Sequence, residues 1–322
     1  MRCGGLAIAA LFALSAVRAD ADGYPSRPIR LVVAQAPGGQ NDSIARMLTQ
    51  PLSDILGQPV VIENRGGVGG TIGADFVAKA PADGYTLLVG GSNNLAIAVA
   101  VHPTLPYDPA RDFIPLRGIA QVPYALAVSA KVPIRSVREL VAYARAYPGR
   151  LTYGSGGNGS TSGLAAELFK SMAGVDIVQV PYKGSAPAVA DLVSGHVDLM
   201  FADFALVLPH AKAGTLRLLA AAGNSRAPGA PDLATIAEQG YPGFAISAWY
   251  AVVVPAATPA AVIAKLDEAL AQTVRNDELQ RRLLLQGYEP IDAPAAVLGT
   301  MIRGDIAKFA SLVSRTGIKG EQ

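Results

Sequence analysis

The sequence predicts an α/β fold of two domains around a ligand cleft, and three observations carry that prediction. Apolar runs of strand length alternate with helical stripes along most of the chain, the pattern of a parallel sheet with helices on both faces. One unit, strand, glycine-rich turn, helix, strand, occurs twice, its turns 117 residues apart at Pro37-Gly38-Gly39-Gln40-Asn41-Asp42 and at 154–162, the run Gly-Ser-Gly-Gly-Asn-Gly-Ser-Thr-Ser. Hydrophobic residues make up 51% of the 322 and charged residues only 16%, a balance suited to large buried sheets.

The elements follow in order. A strand over 29–34 leads through the first turn into a helix over 43–56, whose apolar stripe is Ile44, Met47, Leu48, Leu52 and Ile55. Pro51 is expected to kink this helix, and Gly57-Gln58-Pro59 ends it. Strands over 60–63 and 86–89 come next, with a glycine loop over 66–73 leading to a helix from about Ala74. In the second copy a strand over 151–153 precedes a helix over 162–173 carrying Leu164, Leu168 and Met172, which Gly174 ends before a strand over 175–180. The strand-to-strand spacing is 29 residues from Leu31 to Val60 and 26 from Leu151 to Ile177. Shared βαβ geometry alone would produce the same similarity. A short helix over 188–193 follows, then strands over 197–201, 216–221 and 249–254. Thr258 and Pro259 sit where a helix cap and first helical residue belong, and the late helices carry Val262, Ile263, Leu266, Leu270 and Val274, then Leu279 and Leu283, then Leu298, Ile302 and Phe309. These helices are too few to form a domain, so they are expected to return to the first. The expected division is a leader over 1–19, a discontinuous domain over 20–122 plus 251–322, and a second domain over 123–250.

The leader is read from Arg2, an apolar stretch over 6–17 and the small-residue cleavage site Val17-Arg18-Ala19, with a cut after Ala21 as the alternative. About twelve apolar residues are too few to span a bilayer. Cys3, the one cysteine, precedes the apolar stretch, so it cannot carry a lipid, and the mature chain has no thiol nucleophile, disulfide or cysteine metal ligand. Lys and Arg number 27 against 25 Asp and Glu, and loss of Arg2 and Arg18 with the leader balances the two. A balanced chain argues against a nucleic-acid or membrane-surface partner.

Enzyme signatures are missing from the sequence. Ser155 and Ser160 have Tyr153 and Asn158 two positions back, so neither lies in GxSxG, and Ile72 occupies the last glycine position that GxGxxG would need over 66–73. His102, His196 and His210 have no metal-ligand spacing, and no cofactor is expected. The glycine turns are the positive signal, because a helix start leaves N–H groups unpaired and directs the positive end of its dipole at an anion. Asp42 reads as a helix cap. Ser92, Asn93 and Asn94 follow the third strand at the edge where open α/β sheets bind ligands. Lys183 either meets a carboxylate or is solvated, and the loop over 66–73 either connects or touches ligand.

At this point the chain resembles the periplasmic solute-binding receptors of tripartite tricarboxylate transporters, the Bug proteins. The resemblance is carried by Tyr24-Pro25-Ser26-Arg27-Pro28-Ile29, Pro37-Gly38-Gly39 with Asp42, Val61-Ile62-Glu63-Asn64-Arg65, the run over 78–88, Leu105-Pro106-Tyr107-Asp108-Pro109, 153–160, Val180-Pro181-Tyr182-Lys183-Gly184 and Val197-Asp198-Leu199-Met200-Phe201. It implies a type II periplasmic binding-protein fold that closes on its ligand as a hinged clamp. It further implies a small organic carboxylate as ligand, a di- or tricarboxylate, amino acid or aromatic acid, and integral membrane transporter subunits as partners. A sensor role is the alternative, with a periplasmic hydrolase behind it, and a monomer suits the clamp. The matching ligand-binding positions are Gly38, Gly39, Asp42, Ser92, Asn93, Ser155, Gly157, Asn158 and Ser160. Two departures stand out: Leu95, Ala98 and Val99 replace a His and an Asn-Pro, and Ala202 takes the place of an Asp, with Asp203 next. Asp203 joins the candidates, while a less polar wall near Leu95 and a ligand without an ammonium group are expected.

Overall fold

A computed structural model of the chain describes residues 23–316 apart from positions 36, 103, 158, 183 and 228. The leader over 1–19, Asn158 and Lys183 therefore lie outside the described residues. In the first βαβ unit, β1 (Ile29–Val33) runs between β2 (Val60–Asn64) and β3 (Thr86–Gly91), parallel to both, with Leu31 beside Ile62 and Leu87. Helix α1 (Gln40–Leu56) buries Ile44, Met47, Leu48 and Leu52, while Ile55 at the edge of the stripe stays exposed. It runs through Pro51 and stops at Gly57, whose φ of 68° is the left-handed helix end that glycine allows. Helix α2 (Thr71–Ala78) connects β2 to β3, and the short α3 (Ala98–Val101) lies beyond β3.

The second unit repeats the design. Strand β5 (Thr152–Ser155) runs between and parallel to β6 (Val178–Pro181) and β7 (Leu199–Asp203), with α5 (Thr161–Ala173) and α6 (Ser185–Ser194) connecting them, α4 (Val137–Ala146) before and α7 (Phe204–Lys212) after. Phe169 and Phe201 are buried together with Phe244 at its centre.

The sheets are mixed rather than wholly parallel. Strand β4 (Phe113–Ser129) pairs antiparallel with β9 (Ser247–Pro255) from Phe113 to Pro123, and from Tyr124 onward with β7 and β8 (Leu216–Ala221). It thereby passes from one half of the molecule to the other, while β9 continues to β3. The sequence concealed β4 because Pro115, Gly118 and Pro123 break its apolar alternation, and the pairing accommodates this with register shifts at 115–117 and 118–120.

The late helices α8 (Ala260–Val274) and α9 (Asp277–Leu285) pack on α1, and β10 (Glu289–Pro294) pairs with β4. Arg117 fixes this return: its buried guanidinium sits between Asp267 of α8, at 2.7 Å, and Asp292 of β10. Helix α10 (Ala295–Thr316) then crosses the molecule, touching β4, the turn after β3, and α5 of the other half.

Candidate functional site

A cleft of about 230 Å³ opens at the carboxyl ends of β1 and β3, where a sheet of this kind presents its loops. Its wall comes from Ala34 and Gln35 after β1, Asn41 of α1, Gly67, Gly69 and Gly70 of the glycine loop, 91–94 after β3, and Tyr250 of β9. Gly70 shows why that loop must be glycine. Its φ is +93°, and a Cβ would lie 2.7 Å from the Ala34 carbonyl oxygen and 3.3 Å from Asn94 Nδ2. The chain after β3 winds as a π-helical turn over Asn93–Ile97, a geometry that recurs at functional sites. Leu95 points the other way, buried in the core and packed toward Gly90, so it forms no cleft wall.

The first predicted turn is closed on itself. Asp42 is buried, and its Oδ2 accepts hydrogen bonds from the Gly38 N–H at 2.9 Å and Arg46 Nε at 2.8 Å, while Oδ1 accepts from Asn64 Nδ2. Burial pushes its pKa up, but these hydrogen bonds, led by that of Arg46, hold it below the ordinary carboxylate value. Gly39 lies just before α1, where Gln35 Oε1 accepts the Asn41 N–H at 3.0 Å. Gly38, Gly39 and Asp42 are thus outside the cleft wall and position Gln35 and Asn41, which line it.

Facing it is the turn between β5 and α5. Ser160 caps α5 by accepting the Gly163 N–H at 3.2 Å and donating to the Gly157 carbonyl at 2.7 Å. Ser162 accepts the Gly156 N–H, and the buried Ser155 hydroxyl accepts from Gln179 and lies 3.4 Å from the Gly157 nitrogen. Thr161 spans the two halves, donating to Asn93 Oδ1 at 3.1 Å.

A second link crosses beside it. Asp203, at the end of β7, accepts a hydrogen bond from Gln40 Nε2 at 3.2 Å on Oδ2, and Gln40 Oε1 in turn accepts from the Tyr250 hydroxyl. Oδ1 of Asp203 is buried and has no hydrogen-bond partner among the described residues. Burial pushes Asp203 up to about 6, against the opposing pull of Tyr124 and Gln40. Tyr124 and Tyr250 are buried and face that carboxylate, and burial, with the negative charge of Asp203, pushes their hydroxyl pKa values well above normal. No lysine, arginine or histidine is among the described residues of the cleft wall. The three histidines stand apart, His196 meeting Asp191 at the surface at 3.3 Å, and no metal-binding cluster occurs among the described residues.

Sequence reasoning marked Ser92, Asn93, Asn94 and the glycine loop but missed Gln35, Gln40, Asn41, Tyr124 and Tyr250. The two tyrosines are hidden inside apolar strands, where nothing local separates a hydroxyl that faces Asp203 from a core ring.

The model of the tripartite tricarboxylate transporter family receptor matches residues 44–318. The chain belongs to that family. The receptor is 38% identical over 301 residues to Protein BugT of Bordetella pertussis, covering 93% of this chain and 92% of BugT. It is similar to the solved structure of R. palustris Rpa4515 with adipate, at 39% identity and TM-score 0.79 over 92% of this chain and 99% of that one. The structure of MatC (Rpa3494) from Rhodopseudomonas palustris with bound malate superposes with TM-score 0.76 at 32% identity, covering 90% and 100%. These neighbours share the two-domain α/β architecture described above. No helix of the described residues is long and apolar enough to cross a membrane.

Proposed function

We propose that this receptor captures a small organic carboxylate between its two halves, in the periplasm, and presents it unchanged to membrane subunits of a tripartite tricarboxylate transporter. The observation that carries the reading is the cleft itself, about 230 Å³ in volume and walled by amide, hydroxyl and glycine groups. Two hydrogen bonds, Gln40 to Asp203 and Thr161 to Asn93, join the halves beside it. Adipate and malate bound to two relatives support the ligand class. Uncharged donors suit it as well, since they can hold a carboxylate directly or through water without a cation.

Ser92 and Asn93 supply contacts from one jaw, and Ser155, Gly157, Asn158 and Ser160 supply them from the other. Gly38, Gly39 and Asp42 act at one remove, by shaping Gln35 and Asn41, and Asp203 takes part in closure through Gln40. The domain division is 20–122 plus 251–322 against 123–250, supported by the change of β4 partners between Pro123 and Tyr124. Residues Ser247–Tyr250 pair with β4 of the first half, which favours a second crossing a few residues earlier than 250. The leader is removed near Ala19, and the working unit is a monomer.

The test is a thermal-shift screen of the mature protein against a carboxylate library, with the ligand followed by NMR. A ligand at 100 times its dissociation constant adds roughly 2.7 kcal/mol of stability. Stabilisation by mono- or dicarboxylates with no change in their spectra is expected. Stabilisation by neutral sugars or cations alone, or steady consumption of a bound acid, would overturn the reading.

A further inference from the structure

Asn94 differs from its neighbours Ser92 and Asn93 in one respect. Its side chain is 2% exposed, yet Nδ2 has no hydrogen-bond partner among the described residues. The amide orientation is fixed, because Oδ1 accepts the Gly91 N–H at 2.9 Å and a backbone N–H can only donate. Its carbonyl accepts the Tyr107 hydroxyl at 2.6 Å, which holds the π-helical turn in place. Nδ2 therefore faces away from the strand and towards Gly70, in the part of the cleft wall where a Cβ would come within 3.3 Å of it. A buried donor left unpaired is costly, and one carried by a residue of a ligand cavity's wall has an obvious partner. Asn93 is engaged otherwise, its Oδ1 accepting Thr161 from the opposite jaw.

We propose that Asn94 is a specificity-determining ligand contact of this receptor, its Nδ2 donating to a carboxylate oxygen seated in the space beside Gly70. The inference rests on the carboxylate-receptor reading and adds to the turn: Asn93, besides its ligand contact, joins the jaws through Oδ1, and Asn94 supplies a further donor.

Asn94→Asp separates this role from a structural one. The variant keeps an oxygen to accept the Gly91 N–H and replaces the donor with an anion. Binding of adipate, malate and the monoamide of adipic acid to wild type and N94D is measured by calorimetry, with melting of the ligand-free proteins alongside. The expected result is ligand-free melting close to wild type, diacid affinity reduced about 100-fold, and a relative gain for the monoamide, whose amide end can donate to the new carboxylate. Equal affinity for the diacids in the two proteins overturns the inference and leaves the receptor reading intact. Failure of wild type to bind these acids or any other member of the carboxylate library overturns both. Should N94D not fold, the side-chain amide signals of wild-type Asn94 decide. A shift on adding a bound diacid supports the contact, and their indifference to it rejects the contact.

Discussion

Burial of Asp203 behind Gln40 and Tyr124 takes a carboxylate out of water, with Oδ1 lacking a hydrogen-bond partner among the described residues, and the group's pKa moves from an ordinary 3.8 up to about 6. A folded pKa above the unfolded one means that the folded protein holds the proton more tightly. Stability from this group is therefore greatest at low pH, declines as pH rises from about 4 to about 6, and levels off above that. The cost at pH 7.5 is about 3 kcal/mol as an order of magnitude. Asp203→Asn retains an acceptor for Gln40 and cannot ionise. It is expected to melt several degrees above wild type at pH 7.5 and almost with it at pH 4. A gain of equal size at both pH values would assign the effect to packing instead.

Gly39 makes a second case at this scale. Its φ of −75° suits any residue, but a Cβ would fall 2.3 Å from Gln35 Oε1. Gly39→Ala is expected to displace Gln35, break its hydrogen bond with the Asn41 N–H and cost about 1 kcal/mol of stability. Because Gln35 and Asn41 line the cleft, ligand affinity should drop roughly tenfold in calorimetry. Such an outcome gives the sequence-level choice of Gly39 an indirect meaning. Composition and spacing identified a glycine at a helix start, but not that its space belongs to a neighbouring glutamine.

Among the helices, α10 packs on both halves. It packs on β4, on the turn that carries Asn93 and Asn94, and on α5, whose start faces the cleft. Asp305 of α10 accepts the indole N–H of Trp249 at 2.7 Å and pairs with Lys308, which also donates to the Ala245 carbonyl at 3.2 Å. Trp249 is the chain's single tryptophan, is nearly fully buried in β9 and precedes Tyr250 of the cleft wall. Asp305→Ala would leave the indole N–H without this acceptor, at a cost of about 1–3 kcal/mol. The checks are a lower denaturant midpoint and an altered tryptophan emission of the folded protein. Unchanged emission would mean that the contact does not define the indole's surroundings. The apolar spacing of Leu298, Ile302 and Phe309 showed that α10 exists and which face it buries. It held no record of the two halves that the helix touches, since contacts between distant segments leave no local period.

At the scale of the molecule, the repeated strand–turn–helix unit made the α/β class and the two-fold organisation legible in the sequence. The strand over 249–254 was legible as well, but the long antiparallel β4 was not, because prolines and a glycine interrupt it, and it is the strand that passes from one half to the other. The site was legible in the same proportion. Residues after strand ends were found by where such sheets bind ligands, while the cross-cleft partners Gln40, Tyr124 and Tyr250 come together only through folding. On the reading proposed above, the receptor holds its ligand between two turns, 91–94 and 155–161, with the glycine loop at the side. The most direct measurement of that claim is a crystal structure of the mature protein with the carboxylate that stabilises it most. Its carboxylate oxygens are predicted to lie between Asn94 and Gly70 on one side and Ser160 and Thr161 on the other. A ligand bound elsewhere, such as the apolar groove between α6 and α7 near Val189 and Leu206, would contradict it.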